Sequence, residues 1–114
     1  MELKNKDYYI NYDADTVTLH FQGSLRLIGV GAYEPLATLL DKIIDIEPPL
    51  ITVNLQELKL LNSSGVTTLA KFIIKVSKKK AIQMIIQGST KIAWQKDSLN
   101  NLKRLMPRLQ LEWE

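Results

Sequence analysis

Two adjacent serines at the start of a predicted helix are the best-placed reactive groups in this sequence. Ser63 and Ser64 follow a strand-like run at residues 50–55 and precede apolar residues at helical spacing. A short side-chain oxygen from Asn62 or Ser63 can cap this helix by accepting a hydrogen bond from an unpaired N–H group of the first turn. Both hydroxyls then lie at the positive end of the helix dipole, where a phosphate is well received. The residues leave two interpretations open, a helix cap with no further role and a site of serine phosphorylation.

The other reactive side chains do not form a catalytic or metal-binding pattern. His20 is the only histidine and the chain contains no cysteine, so zinc sites and histidine-based triads lack their usual ligands and bases. Asp13 and Asp15 flank a predicted turn, where carboxylates commonly bond the local backbone. We therefore expect no catalytic residue, no metal ligand, no cofactor and no enzymatic activity.

A pair of glycines, Gly29 and Gly31, lies between a predicted strand and a predicted helix, as in a dinucleotide-binding loop. The third glycine of such loops is missing, and Pro35 lies near the point where the helix would meet a pyrophosphate. We interpret this segment as a flexible connector and not as a phosphate-binding loop.

The hydrophobic pattern predicts the elements that position the two serines. Alternating or largely apolar runs predict five strands, at residues 8–12, 16–22, 50–55, 82–86 and 109–113. Helical spacing predicts three helices, at residues 33–44, about 63–79 and 99–106, with Pro35 in the first turn of the first helix and Pro107 terminating the third. The order β-β-α-β-α-β-α-β predicts an α/β fold, a mixed sheet of about five strands with an opening antiparallel hairpin and crossover helices.

Two aromatic residues need an interpretation. Tyr33 lies on the apolar stripe of the first helix, and we expect it in the core and not in a ligand pocket. Trp94 stands among polar residues, so it either anchors the third helix or offers an exposed contact.

Length and composition limit the classes of protein to which this chain can belong. A chain of 114 residues with 46% hydrophobic and 24% charged residues is expected to fold as one globular domain over residues 1–114. The sequence has no apolar run of signal-peptide or membrane-span length. We therefore expect a cytoplasmic protein with no direct membrane insertion.

The charge is unevenly distributed along the chain. Residues 1–57 carry four Lys/Arg against nine Asp/Glu, and residues 58–114 carry eleven against three. In one compact domain such a split predicts a bipolar surface that steers a charged partner. The basic half lacks interleaved aromatic residues and any nucleic-acid-binding motif, so we expect no nucleic-acid partner. The lysine run at residues 78–80 is interpreted as a solvated helix end, with a dedicated docking patch as the alternative.

The chain resembles a STAS domain, the fold of the anti-sigma-factor antagonists, over residues 8–113. The resemblance lies in the element order, in Gly23-Ser24-Leu25-Arg26, where the family tends to have glycine, an acidic residue, an apolar residue and Asp, and above all in Leu60-Leu61-Asn62-Ser63-Ser64-Gly65-Val66. The family pattern there is two bulky residues, Asp, Ser, Ser or Thr, Gly, then Leu or Ile. This sequence has Asn62 where the family has Asp, and Arg26 where the family has an acidic residue.

The resemblance implies partner switching controlled by reversible phosphorylation. It makes Ser63 the phosphoacceptor, with Ser64 less favoured, and it implies two partners, a serine kinase that doubles as an anti-sigma factor and a PP2C-type phosphatase. The partner-binding residues that it implies are Arg26, Asn62, Ser63, Ser64, Gly65 and Thr67. The alternative is a non-phosphorylated structural STAS subunit that scaffolds a larger signalling or membrane-transporter complex.

Overall fold

The computed structural model describes all 114 residues apart from the side chain of Val30. The strands are β1 Glu2–Lys4, β2 Tyr8–Asp13, β3 Thr18–Leu25, β4 Leu50–Leu61, β5 Gln83–Gly88 and β6 Gln110–Trp113. The helices are α1 Glu34–Ile46, α2 Ser63–Ser77 and α3 Gln95–Lys103, and a 3-10 turn, Val30–Tyr33, leads into α1.

The six strands form one sheet whose order in space is the order of the strands in the chain. The first three strands pair antiparallel, and β3 to β6 pair parallel. The predicted mixed sheet with an opening hairpin is confirmed, with β1 as one strand more than expected. The carboxyl ends of β3, β4, β5 and β6 consequently meet at one edge of the sheet, where the connections to the helices begin.

The three helices cover one face of the sheet. Right-handed crossovers between successive parallel neighbours place every crossover helix on the same side, and α1 packs against α2 while α2 packs against α3. Residues that alternate along the strands, such as Leu19, Val53 and Ile86, point into the core beneath these helices. The opposite face is polar, and its central row consists of paired residues on neighbouring strands: Glu2, Asn11, His20, Asn54, Gln87 and Glu112.

The central strand β4 is longer than the pattern predicts. It runs to Leu61, and its pairing with β3 shifts register between His20 and Gln22 and again between Gly23 and Ser24. Because of these irregularities, Leu55 and Leu58 are both buried although they are three residues apart. The strand thereby extends to the residue before Asn62.

The helix ends differ in detail from the predictions. Pro35 lies in the first turn of α1, as predicted. The helix ends at Ile46, where Glu47 adopts the left-handed conformation that commonly terminates helices. The α3 helix spans Gln95–Lys103 and is capped at Arg104. It therefore begins four residues earlier than predicted, excludes Leu105 and Met106, and is not terminated by Pro107. The segment that we interpreted as a connector enters the 3-10 turn at Val30.

Candidate functional site

The side chain of Asn62 caps α2. Its backbone is extended, with φ −81° and ψ 174°, and its Oδ1 accepts a hydrogen bond from the Gly65 N–H at 3.0 Å. The carbonyl of Asn62 also accepts from the Val66 N–H at 3.0 Å, which begins the ladder of the helix. The cap therefore comes from Asn62 and leaves the Ser63 hydroxyl unneeded for that purpose.

Asn62 also binds the residues at the end of β3 and in the loop that follows, through its side-chain amide and its backbone N–H. Its Nδ2 donates to the Leu27 carbonyl at 2.7 Å, and its backbone N–H donates to the Leu25 carbonyl at 3.3 Å. A carboxylate at this position could accept the cap bond but has no N–H to give to Leu27. The side-chain amide thus binds two elements at once, the first turn of α2 and the loop after β3.

The hydroxyl of Tyr33 lies at the centre of this arrangement. Its side chain is 1% exposed, and its oxygen lies 2.5 Å from Asn62 Oδ1 and 3.2 Å from the Leu25 carbonyl oxygen. The Leu27 N–H donates to it at 3.3 Å. Burial raises the pKa of the Tyr33 phenol above its ordinary value, while the hydrogen bond from Leu27 acts in the opposite direction. The neutral phenol is therefore the form that joins β3, α1 and α2.

Gly65 is the small residue that lets these groups come together. A Cβ atom on Gly65 would lie 2.3 Å from Leu61 Cδ1 and 2.8 Å from the Tyr33 hydroxyl oxygen. Both distances are shorter than non-bonded atoms tolerate, so a side chain here would displace Leu61 or Tyr33.

The residues predicted from the sequence gather around this network. Ser63 is exposed and is the first residue of α2, whereas Ser64 is half-buried. Thr67 is exposed one turn further along the same helix. Arg26 is exposed in the loop that Asn62 binds through Leu27. The first turn of α2 contains no acidic residue, so no side-chain carboxylate of that turn offsets the positive end of the helix dipole.

The described side chains contain no group of three or more His, Cys, Asp or Glu residues that could hold a metal ion. None of the helices described for this chain is both long and apolar enough to cross a lipid bilayer.

Two solved structures resemble the whole chain. One match is a chain in the complex of the diguanylate cyclase SiaD with its activator SiaC from Pseudomonas aeruginosa. Its TM-score is 0.77 and its identity 7%, over 100% of this chain and 99% of the matched chain. The other is SiaC of Pseudomonas aeruginosa, with a TM-score of 0.73 and 8% identity over 100% of this chain and 98% of that chain. This chain has the same fold as the two matched chains. No protein-family model and no curated protein sequence matches the chain.

The predicted α/β, STAS-like fold agrees with the observed sheet order and with this likeness to SiaC. At 7–8% identity the likeness concerns the path of the backbone. The roles of individual side chains therefore have to be argued from the contacts described above.

Gln95 is a supporting residue that the sequence did not single out. It is fully buried, and its Nε2 donates to the Leu55 carbonyl at 2.6 Å and to the Leu58 carbonyl at 3.2 Å. Its Oε1 accepts from the Ser89 N–H at 2.7 Å. The amide therefore satisfies backbone groups freed by the irregular stretch of β4, just before the site. A glutamine on a polar helix gives no sign in the sequence of this burial.

Trp94 supports the same stretch of β4. Its indole Nε1 donates to the Leu58 carbonyl at 3.0 Å, and its ring packs half-buried against the core. Of the two roles considered from the sequence, the anchoring role is the one that these contacts support.

Proposed function

We propose that this chain is a regulatory protein-binding module that acts by partner switching and is controlled by reversible phosphorylation of Ser63. The observation that carries the proposal is the exposed Ser63 as first residue of α2, next to Asn62, which provides the cap. A kinase can reach this hydroxyl without breaking the cap of the helix. The proposal assigns the chain no catalytic activity of its own.

The position suits a phosphate for electrostatic reasons. A phosphoserine carries about −1.5 to −2 charges at neutral pH, and the unpaired N–H groups of a helix N-terminus favour such a charge. Arg26 lies in the adjoining loop, where its guanidinium adds positive potential. Phosphorylation is therefore expected to change the charge of this surface without unfolding the domain.

The kind of partner is inferred from two sources. The STAS resemblance implies a serine kinase that is also a binding partner and a PP2C-type phosphatase that reverses its action. SiaC, which has the same fold, is the activator of the diguanylate cyclase SiaD. The resemblance and the shared fold together favour a partner protein whose activity changes when this chain binds to it or dissociates from it. Antagonism of an anti-sigma factor is one form of such control.

The test is incubation with the cognate serine kinase, ATP and Mg²⁺, followed by mass spectrometry of the modified peptide. We expect one phosphate on Ser63 in the wild-type chain and in Ser64→Ala, and none in Ser63→Ala. We also expect Ser63→Glu to bind the kinase at least tenfold more weakly than the wild-type chain, because a permanent negative charge imitates the phosphate. Phosphate on another residue, or unchanged binding by Ser63→Glu, contradicts the proposal.

A scaffolding role without phosphorylation is the second candidate, and the contacts of Asn62 favour it. Asn62 replaces the aspartate of the STAS pattern and uses its amide to bind Leu27, so the loop is held by neutral groups. A scaffold is expected to copurify in a stable, stoichiometric assembly that phosphatase treatment leaves intact. A complex that phosphatase treatment alters supports the switch instead.

A further inference from the structure

The outer side of α2 is exposed along its whole length. The inner side of the helix, which includes Leu69, Phe72 and Val76, is buried against the sheet and α1. Thr67, Lys71, Ile74, Lys75 and Lys78 point outward and are exposed. These residues continue from Ser63 along one stripe at helical spacing.

The lysines of this stripe fall into two groups. Lys75 binds Asp41 at 2.8 Å, and its neighbour Lys79 binds Glu47 at 3.1 Å, so both are directed towards α1. Among the described residues, no carboxylate oxygen lies within 4.0 Å of the ammonium groups of Lys71 and Lys78. The stripe therefore carries two cations that have no partner in the chain.

Two isoleucines are exposed among these cations. Ile74 is 37% exposed and lies between Lys71 and Lys78 on the stripe. Ile28 is 94% exposed in the loop that Asn62 holds against the start of α2. We define the docking face as Arg26, Ile28, Thr67, Lys71, Ile74 and Lys78.

We propose that the docking face binds an acidic surface of a protein partner, with the two isoleucines as apolar contacts and the three cations facing carboxylates. This inference rests on the proposed function and adds the chemistry of the partner. Its basis is charge complementarity. The face carries Arg26, Lys71 and Lys78. Three carboxylates border it in the adjoining grooves, Asp7, Asp41 and Asp45, but Asp41 is paired with Lys75, so the cations remain in excess. Charged groups across protein interfaces are arranged with opposite sign.

A protein suits this face better than a nucleic acid or a lipid surface. Faces that bind single-stranded nucleic acid combine cations with aromatic side chains that stack on bases, and no aromatic residue belongs to the docking face. Duplex DNA is bound through cations that contact its phosphates, and the two exposed isoleucines of the face would add nothing to such contacts. A membrane-binding helix has a wide apolar side turned outward, whereas Ile74 is the one large apolar residue of the outer stripe of α2. Protein interfaces combine apolar contacts at the centre with a polar rim, and the two exposed isoleucines among cations fit this arrangement.

The docking face also explains how a phosphate on Ser63 would act. Thr67 lies about 6 Å and Lys71 about 12 Å along the helix from Ser63 at 1.5 Å per residue. These distances are close to the Debye length of about 8 Å at physiological ionic strength. A phosphate on Ser63 therefore lowers the positive potential at the near end of the face and repels an acidic partner there, whereas Lys78, about 22 Å along the helix, lies beyond the screened range.

The probe for this proposal is a synthetic helical peptide of 20 residues, with leucine at every third or fourth position and glutamate elsewhere. It is titrated into the ¹⁵N-labelled chain, and amide shifts locate the binding site. We expect shifts concentrated between residues 63 and 78 and in the loop at residues 26–29, with affinity that falls as salt is added. A peptide with lysine in place of every glutamate, an equally long DNA duplex, and vesicles with anionic lipids serve as comparisons.

The decisive variants remove charge within the docking face or outside it. Lys71→Glu combined with Lys78→Glu is expected to weaken binding of the acidic peptide by roughly tenfold or more. The matched control, Lys91→Glu combined with Lys96→Glu, changes two exposed lysines outside the face and is expected to stay within about twofold of the wild-type affinity. Ile74→Ser tests the apolar contact and is expected to weaken binding severalfold.

The proposal is overturned if the two double variants lose equal affinity for the acidic peptide. It is also overturned if the DNA or the vesicles bind at the same residues with the same affinity as that peptide. The same holds if the acidic peptide fails to bind. These results leave the phosphorylation of Ser63 untouched, because mass spectrometry measures it separately. Conversely, if the chain binds the peptide but is never phosphorylated, the docking face is supported and the phosphorylation switch is contradicted.

Discussion

The Tyr33 hydroxyl oxygen lies 2.5 Å from Asn62 Oδ1, and this contact joins the start of α1 to the start of α2. Asn62 is also the residue that caps α2 and holds the loop after β3. The geometry of the exposed Ser63 therefore depends on a buried phenol and a neutral amide on neighbouring elements.

Replacing Tyr33 with phenylalanine is expected to lower the free energy of unfolding by about 1–3 kcal/mol, because the Leu27 N–H and Asn62 Oδ1 each lose a buried partner. Urea denaturation measures the change. The control is Tyr9→Phe, since the Tyr9 hydroxyl binds Glu2 at the surface and is expected to matter little. Equal stability of Tyr33→Phe and the wild-type chain would show that the hydroxyl contributes nothing to the network.

The raised pKa of Tyr33 predicts a dependence of stability on pH. The phenol has an ordinary pKa of 10.0, and burial raises it in the folded chain. Its contribution to stability is therefore complete below pH 10 and is lost as the pH rises through the folded pKa, because the unfolded chain releases this proton first. Unfolding measured above pH 10 should show a steeper loss of stability in the wild-type chain than in Tyr33→Phe. Parallel pH profiles for the two chains would contradict this.

Restoring the aspartate of the STAS pattern is expected to destabilise this chain. Asn62→Asp keeps an oxygen for the Gly65 N–H but loses the donor to Leu27 and places a carboxylate beside the Leu27 carbonyl. We expect a net loss of about 1–2 kcal/mol of unfolding free energy, after the favourable effect of a charge at the helix N-terminus. Asn62→Ser also keeps a capping oxygen and lacks the donor, so comparing the two variants isolates the effect of charge. Asn62→Asp with wild-type stability would mean that the Leu27 bond is dispensable.

A methyl group at residue 65 is expected to disturb the site. Gly65→Ala places a Cβ against Leu61 and Tyr33, and the crowding should cost about 1–3 kcal/mol despite the better helix propensity of alanine. Gly31→Ala is the matched control, because its Cβ would meet no atom within 4 Å. Thermal unfolding of both variants checks the prediction. A melting temperature of Gly65→Ala at or above that of Gly31→Ala would contradict it.

Removing the buried amide of Gln95 is expected to weaken the strand beneath the site. Gln95→Leu leaves the Leu55 carbonyl and the Ser89 N–H without the bonds that the side chain supplies, and each unsatisfied buried group costs about 1–3 kcal/mol. Hydrogen exchange should become faster for residues 55–61 in this variant. Asn101→Leu, on the exposed side of the same helix, is expected to leave both stability and exchange nearly unchanged.

The sequence predicts the architecture well because each main element has a clear hydrophobic period. The alternation of Leu19 and Phe21 and the helical spacing of Leu69, Ile73 and Val76 belong to elements that the structure contains. Val17, predicted in the same strand, lies in the turn before β3 with a φ of 49°. The β1 strand escaped prediction because three residues are too few to show a period. The full length of β4 escaped it because the register shifts beside Gln22 and Ser24 break the alternation.

The candidate site was predictable only in part. Asn62 is a recognisable cap, and the position of Ser63 beside it follows directly. Tyr33 was expected in the core, where it is found, but nothing in the local sequence reveals that its hydroxyl reaches Asn62, 29 residues away. Contacts of this kind depend on how two crossovers place their helices, and they follow from the assembled sheet.

The strand order also bears on how the chain is made. Each strand pairs with the strand that precedes it in the chain, so the sheet can grow in the order in which residues leave the ribosome. The parallel pairs nevertheless join residues separated by a whole crossover, such as Leu19 with Val53 and Val53 with Ile86, so they are expected to form more slowly than the opening hairpin. Leu27 and Tyr33 are synthesised before Asn62, and their binding groups are thus already present when α2 emerges. The segment from Gln95 to the last strand is synthesised afterwards and completes the support of β4, so the residues around Ser63 exist before the last groups that hold them in place.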